Sequence, residues 1–530
     1  MARLPKRFRG TFLFKLVLAA SIVAAGDRLL FVHELLPAGL GAVGLGLAAA
    51  LALGQPASWS DRKARAALCL AAIYALAMIF DASPLAFALF WVALGLAVLL
   101  PRTVAFDDGW RWSQRLIRHA LASAIGPLAD AVRVARIRRL RGSDKGSVRD
   151  LAAVVVVPLV GTLLFVWLFA IANPVIDGWI ASLRLPEPDE YWLARVFVWL
   201  VLGWVAWAVL RPRQRRPLFG TFDGRGDLRL PGLSSAAVLL SLVAFNAVFL
   251  LQNAMDAAWL WGLLPLSPGI SLAEYAHRGA YPLVATALLT ALFVLVALRP
   301  GSINAGQPIV RRLVSLWIGQ NLFLLFNAAL RTLDYVAAYS LTVLRIAALL
   351  WMVLVATGLL LVLWRMLAGK SAAWLINANL ASAGIVLTAT CFVDLGAIAA
   401  QWNVRHAREA GGKGAALDLC YLHSLGGSAL LPLIELEQRT LGSAFGERVA
   451  RVRHRVHFRL VTGVRDGEWQ ILDQYRLWRA ASLLGTDPAP QPASWRYGCD
   501  GILVSVPAPV AAAITPVPRR APSLTQGRER

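Results

Sequence analysis

Charge is what this chain has little of, and acidic charge least of all. Asp and Glu number 30 against 53 Lys and Arg in 530 residues, and charged side chains make up only 16%. A soluble chain carries about 25%, so an ordinary water-soluble globular protein is excluded. Cysteine is scarce as well: Cys69, Cys391, Cys420 and Cys499 are all there are, and they form no metal-ligand constellation. Cys69 and Cys391 lie in apolar stretches and read as small buried thiols. For Cys420 and Cys499 a disulfide stays open, because sequence does not reveal proximity. Also missing are GxSxG, Walker A, HExxH, CxxC and dinucleotide-binding fingerprints. No cofactor and no metal site is expected. An enzyme is not excluded, since lipid-linked sugar transferases show only scattered polar residues.

What is present is apolar: 58% of residues, with mean hydropathy +0.62. Runs of 18 or more apolar residues recur, each long enough to cross about 30 Å of hydrocarbon. The expected fold class is all-α, a polytopic integral membrane helical bundle of about eleven transmembrane helices with a small extracytoplasmic C-terminal tail domain. The expected spans lie near 11–32, 35–54, 64–81, 84–101, 150–172, 191–210, 233–254, 281–299, 313–335, 340–365 and 373–400. They group into a four-span segment (1–101), a basic amphipathic loop (102–149), a seven-span core (150–400), a tail domain (401–486) and a Pro/Ala/Arg-rich stretch expected to be disordered (487–530). The first span imitates a signal peptide, with a basic start and an apolar run ending at Ala25. Apolar character resumes at Leu29–Val32, which favours an uncleaved span.

The net charge of +23 raises the question of nucleic acid, but the basic residues sit in alternate loops. Eleven fall between Arg102 and Arg149 and six between Arg211 and Arg229, whereas the loops assigned outside hold single arginines (Arg28, Arg184, Arg278) or none. This is the positive-inside pattern. It places the chain in a cytoplasmic (inner) membrane with the N-terminus cytoplasmic and, for an odd number of spans, the tail periplasmic. Membrane lipids are the expected partners, with anionic headgroups at the basic cytoplasmic loops, together with an envelope or signalling protein. No nucleic-acid signature is present. Residues Trp110–Arg141 read as two amphipathic helices broken near Gly126-Pro127. Trp112, Leu116 and Leu121 are taken to share one face, and Arg111, Arg115 and Arg118 another. Two placements stay open, flat on the inner leaflet or packed beneath the bundle.

Charges at bilayer depth cost about 2.5 kcal/mol or more each, so the ionisable residues near the span ends mark a candidate ligand-binding cluster at the outer face. Glu274, His277 and Arg278 precede span eight. Arg331 and Asp334 sit three apart at the end of span nine and can pair. Arg345 begins span ten, and Asp394 closes span eleven. The set either neutralises itself or offers Arg331 and Arg345 as an anion site. Asp27, Asn246, Gln252, Asn253, Asp256, Gln320 and Asn377 read as polar glue between helices.

Several of these residues also carry a resemblance. AEYAHRGAYPLV, then QNLFLLFNAALRTLDYVAAYSLTVLRIAALLWM, then Asp394 with QWNVRHA and LDLCYLHSLGGSALLPL are similar to a bacterial family of multi-spanning membrane proteins known as a domain of unknown function. Its pattern is an AEYARRG-like turn (here Glu274–Gly279), an Arg-x-x-x-Tyr element (Arg331–Tyr335) and a Gly/Ser-Leu-Thr-x-x-Arg element opening the next span (Ser340–Arg345). After the membrane comes an Asn followed by a Tyr-Leu helix. The resemblance covers about residues 230–440 and implies an integral membrane protein, with no activity or substrate attached. His277 stands where the pattern has Arg.

In the tail, Leu417–Glu437 and Gly467–Leu484 read as helices, and the basic–apolar alternation of RVARVRHRVHFRLVTGV reads as an exposed strand. His454 and His457 would then point to opposite faces and bind no metal. Three functions follow: a membrane scaffold or envelope-sensing component with an outer-face polar pocket, a transporter of an anionic or lipid-like solute, and an envelope enzyme acting on a lipid-linked substrate. Glu274 and His277 are the acid–base candidates for the last.

Overall fold

Seventeen α-helices make up the described chain, and eight of them are long and apolar enough to cross a membrane. The computed structural model describes residues 11–33, 35–103, 106–140, 162, 190–212, 218–220, 234–260, 285–286, 288–295, 303–485 and 497–503. The helices are α1 (Phe12–Asp27), α2 (Leu36–Gly54), α3 (Pro56–Ser60), α4 (Arg62–Phe80), α5 (Pro84–Leu99), α6 (Gly109–Leu140), α7 (Glu190–Leu210), α8 (Ser235–Leu260) and α9 (Ile303–Gly306). They continue with α10 (Pro308–Tyr339), α11 (Val343–Leu367), α12 (Ala372–Thr390), α13 (Leu395–His406), α14 (Leu419–Ser424), α15 (Leu430–Arg439), α16 (Ala444–Arg465) and α17 (Ile471–Leu484). The span expected at 150–172 falls almost entirely outside the described residues, and that expected at 281–299 is described only at 285–286 and 288–295. A π-helical turn, Arg28–Val32, prolongs α1.

One core joins α1, α2, α4, α5 and α7. Small residues let α2 approach its neighbours closely: a Cβ on Gly41 would lie 2.6 Å from the Ala75 carbonyl oxygen of α4. The last carbonyls of α7, which no helical amide satisfies, accept hydrogen bonds from other elements. Lys15 Nζ bonds Leu210 O at 2.9 Å, and Gln55 Nε2 bonds Val209 O at 2.9 Å. At the other end of α7, Arg195 clasps Asp27 of α1 at 2.5 and 2.6 Å, with Trp199 Nε1 donating to the same carboxylate. Asp27 is the helix glue that its position suggests.

A second core joins α8, α10, α11 and α12 around Val314, Ile318, Leu242 and Leu359. Asn246 Nδ2 donates to Leu313 O at 3.1 Å and Asn253 Nδ2 to Gln320 O at 3.1 Å. Both bonds link residues 67 apart, so α8 and α10 run parallel, and the two asparagines form a seam with a seven-residue repeat.

Helix α6 corrects two expectations. It is one helix with Pro127 inside it rather than two. Trp112 is buried and stacks on Phe106, and Trp207 Nε1 of α7 donates to Asp130 at 3.2 Å. Leu121, however, is exposed with Ile117 and Ile125. Nine residues separate Trp112 from Leu121, which is two and a half turns, so they occupy opposite faces.

The tail is helical throughout α13–α17. The strand expected over 448–464 is part of α16: Val449, Val452 and Val456 are buried at helical spacing, and alternation in a basic segment mimics a period of two. The single helix expected over 417–437 breaks at Gly426, whose φ of 56° suits glycine. Cys420 and Cys499 form a disulfide. It ties residues 497–503 to the tail, where Arg455 bonds the Tyr497 and Gly498 carbonyls at 2.7 and 3.0 Å. Of the other thiols, Cys391 is buried as expected, but Cys69 is exposed on the bundle surface.

Candidate functional site

The tail sits on one end of the bundle, over four turns. Leu36 N–H donates to Gly467 O at 3.2 Å, Ala82 N–H donates to Gln470 Oε1 at 3.0 Å, and the turns at 339–343 and 391–394 complete the set. The third of these is held most fully. Ser340 adopts φ 71°, a conformation that a non-glycine residue keeps only when its surroundings enforce it. Four groups enforce it. Arg345 Nη1 donates to Tyr339 O at 2.8 Å and also to Ser340 O, while its guanidinium lies 4.0 Å from the centre of the Tyr335 ring. Asn403 of α13 is buried and bonds Leu341 twice, accepting from its N–H at 2.6 Å and donating to its carbonyl at 2.8 Å. Tyr421 Oη accepts from Val343 N–H at 2.9 Å. Burial pushes the Tyr421 phenol above its ordinary value, against the Val343 bond and Arg345. Thr342 caps α11 through Arg345 N–H.

The fourth turn carries the charges. Asp394 caps α13 by accepting from Ala397 N–H at 2.9 Å and pairs with Arg476 of α17. Arg476 reaches Asp473 at 2.5 Å and Ser428 Oγ at 3.0 Å. Gly427 makes room for this: a Cβ there would lie 3.1 Å from Arg476 Nη1. Burial pushes the Asp81 carboxyl above its ordinary value; Arg476 opposes this, and Asp394 and Asp473 add to it. Beside this junction lies a cavity of about 70 Å³ lined by Gly427, Val456, Arg459, Gly463, Glu468 and Asp473 among others. It is far below the ~300 Å³ that small-molecule sites start from.

The candidate cluster therefore divides. Arg331 pairs with Asp256 of α8 at 3.0 Å, both side chains nearly buried, instead of with Asp334. Asp334 is exposed. The reason is direction: Arg331 faces the polar seam of α8, and Asp334, three residues on, turns away from it. Arg345 and Asp394 join separate halves of the tail junction. Asp394 does not close span eleven, because α12 ends at Thr390 and the carboxylate begins α13. Glu274, His277 and Arg278 lie outside the described residues. No group of three His, Cys, Asp or Glu able to hold a metal occurs among the described residues, and His454 and His457 share a helix.

Sequence reasoning missed Arg476, Asp473, Ser428 and Asp81. Asp473 and Arg476 at i,i+3 were a local signal, but nothing in the chain links them to residues 80 or 390 positions away. Asn403 and Tyr421, by contrast, belong to the pattern of the resemblance, as do Tyr335, Ser340 and Arg345. Pieces of one pattern, spread over 335–421, meet at a single turn. A family profile, described as a domain of unknown function (DUF4153), matches residues 66–436. The chain belongs to this family. The match starts well before residue 230 and so takes in α4 and α5 and the turn at Asp81. No curated protein and no solved structure matches the chain. As a DUF4153 member with eight membrane-length helices, it is a multi-pass membrane protein.

Proposed function

We propose that this DUF4153 protein is a membrane scaffold or envelope-sensing component, an eleven-span bundle that carries its tail latched to the extracytoplasmic face. The observation that carries the reading is the latch at 339–345. Its motif residues hold one turn from both sides of the tail–bundle boundary: Arg345 packs on Tyr335 and bonds Ser340 O, Asn403 bonds Leu341, and Tyr421 bonds Val343, so Arg345 is engaged in the latch. Arg331, the other arginine a transporter would use, is taken by Asp256. The sidedness has two supports. The four turns under the tail are poor in basic residues, while the opposite end holds Lys15, Arg102, Arg211 and Arg311, in keeping with positive-inside orientation. The Cys420–Cys499 disulfide suits an oxidising compartment. The span count is supported by the eight long helices, by α1 with its π turn, and by the parallel run of α8 and α10, which requires an odd number of crossings between them.

Native mass spectrometry of the detergent-purified protein beside Arg331→Met and Arg345→Ala tests this reading. A scaffold gives the same adducts in all three. A discrete small molecule bound by the wild type and lost from both variants would overturn it in favour of transport or catalysis on an anionic substrate.

A further inference from the structure

At the end of the bundle away from the tail, a buried charge has no partner among the described residues. Arg365, in the last turn of α11, is 2% exposed, and its Nε and Nη2 are buried with no hydrogen-bond partner. A guanidinium stays protonated in proteins, and a buried, uncompensated charge is strongly destabilising. Among the described residues no anion meets it. The helices around it offer none. Across α8 and α10–α12 the only acidic residues are Asp256 and Asp334, and both lie toward the tail. The tail latch grips Val343, 22 residues before Arg365, which at 1.5 Å per residue is about 33 Å away. Asp107 and Asp108 approach α12 through Asn377, but they pair with Arg115 and Arg111.

The surroundings are basic instead. Arg311 Nη2 donates to Leu367 O at 3.1 Å, Arg312 adjoins it in sequence, and the turn after Arg365 carries Lys370, whose N–H bonds the Arg365 carbonyl at 3.0 Å. Helix α12 begins directly afterwards at Ala372, and its N-terminus, where Ser371 Oγ accepts from Trp374 N–H at 3.1 Å, lies at the same end and favours negative charge.

We propose that Arg365 is the centre of an oxyanion-binding site for a phosphate group, held bidentately by the guanidinium fork. A phosphate suits it because Arg365 is buried without a partner at the end of α11 where Arg311 reaches Leu367 O and where α12 presents its N-terminus. A phospholipid headgroup and a soluble phosphate present the same chemistry. The site does not depend on which face of the membrane it occupies, nor on the scaffold reading.

The test uses the full-length protein and its Arg365→Met variant, which keeps the side-chain bulk and removes the charge. Two probes are titrated separately into detergent-solubilised protein, phosphatidylglycerol against a phosphatidylcholine background and inorganic phosphate, with thermal unfolding and native mass spectrometry as readouts. The wild type should show a saturable rise in Tm of several degrees with at least one probe, and the variant none. A retained phosphatidylglycerol adduct, at least tenfold depleted in the variant, assigns the phosphate to lipid. A rise with inorganic phosphate alone assigns it to a soluble ligand. Equal responses in both proteins, or no saturable response of the wild type to either probe, would overturn the proposal. Should Arg365→Met fail to fold, the wild-type titrations beside Arg365→Lys, which lacks the fork, carry the same decision.

Discussion

Replacing Arg476 by Met should loosen the tail without disturbing the bundle. The guanidinium is 10% exposed and serves two carboxylates, Asp394 and Asp473, themselves 19% and 13% exposed. Removing one partner of a buried ion pair costs about 3–5 kcal/mol because the other charge stays behind unpaired. With this degree of exposure the lower figure applies. About 3 kcal/mol is roughly a hundredfold in an opening equilibrium, so amide hydrogen exchange across Ile471–Leu484 should speed up by about that factor. Exchange in α8 and α10 should not change. The pH dependence has a definite sign. The Asp81 carboxyl is raised in the folded protein, so the folded state binds its proton more readily than the unfolded one. The stabilisation from that proton is present at low pH and is lost as pH rises through the raised value. Arg476 opposes the rise, so without it Asp81 rises further. The deficit of the variant should therefore narrow as the pH falls through the raised Asp81 value. Exchange within threefold of wild type in α17, or a deficit that widens on acidification, would refute the reasoning.

Asn403→Ala deletes two buried hydrogen bonds and strands the Leu341 amide and carbonyl. It should cost about 2–4 kcal/mol, read as protease sensitivity near residue 340. Asp256→Asn removes the carboxylate that pairs with the nearly buried Arg331 and should lower stability by about 3 kcal/mol. Asp256→Asn with Arg331→Met should recover much of the loss in a double-mutant cycle of thermal unfolding. Cys420→Ser removes a cross-link spanning 79 residues, worth at most about 4–5 kcal/mol by loop entropy. It should free residues 497–503 from the α16 arginines, seen as faster exchange there with the bundle unchanged.

How far the fold could be read in the sequence varied with the kind of signal. Hydrophobic runs located α2, α4, α5, α7, α8, α10, α11 and α12 because length and apolarity alone decide whether a segment can span a bilayer. Periodicity served less well in the amphipathic segments: at Leu121 a shared face was assumed across nine residues, and in α16 arginines alternating with valines imitate a strand. Ionisable residues near the span ends are legible in the sequence, but their partners are not. Asp334 was the near neighbour in sequence, yet Asp256, 75 residues away, faces Arg331. Arg476 is not legible because an Asp–Arg pair on a tail helix reads as a solvated surface pair until Asp394 closes on it. The latch was the most legible part of the site, since its residues belong to one family pattern whose pieces the fold brings together.

The central claim is a tail latched to the extracytoplasmic face, and sidedness is its most exposed part. Lys413→Cys, on an exposed position of the tail, is introduced into a chain with Cys69 and Cys391 replaced by Ala. Intact spheroplasts are then treated with a membrane-impermeant maleimide. The account predicts labelling of one thiol without lysis, since Cys420 and Cys499 are bonded to each other. Labelling only after lysis, at three thiols, would contradict it and put the tail in the cytoplasm.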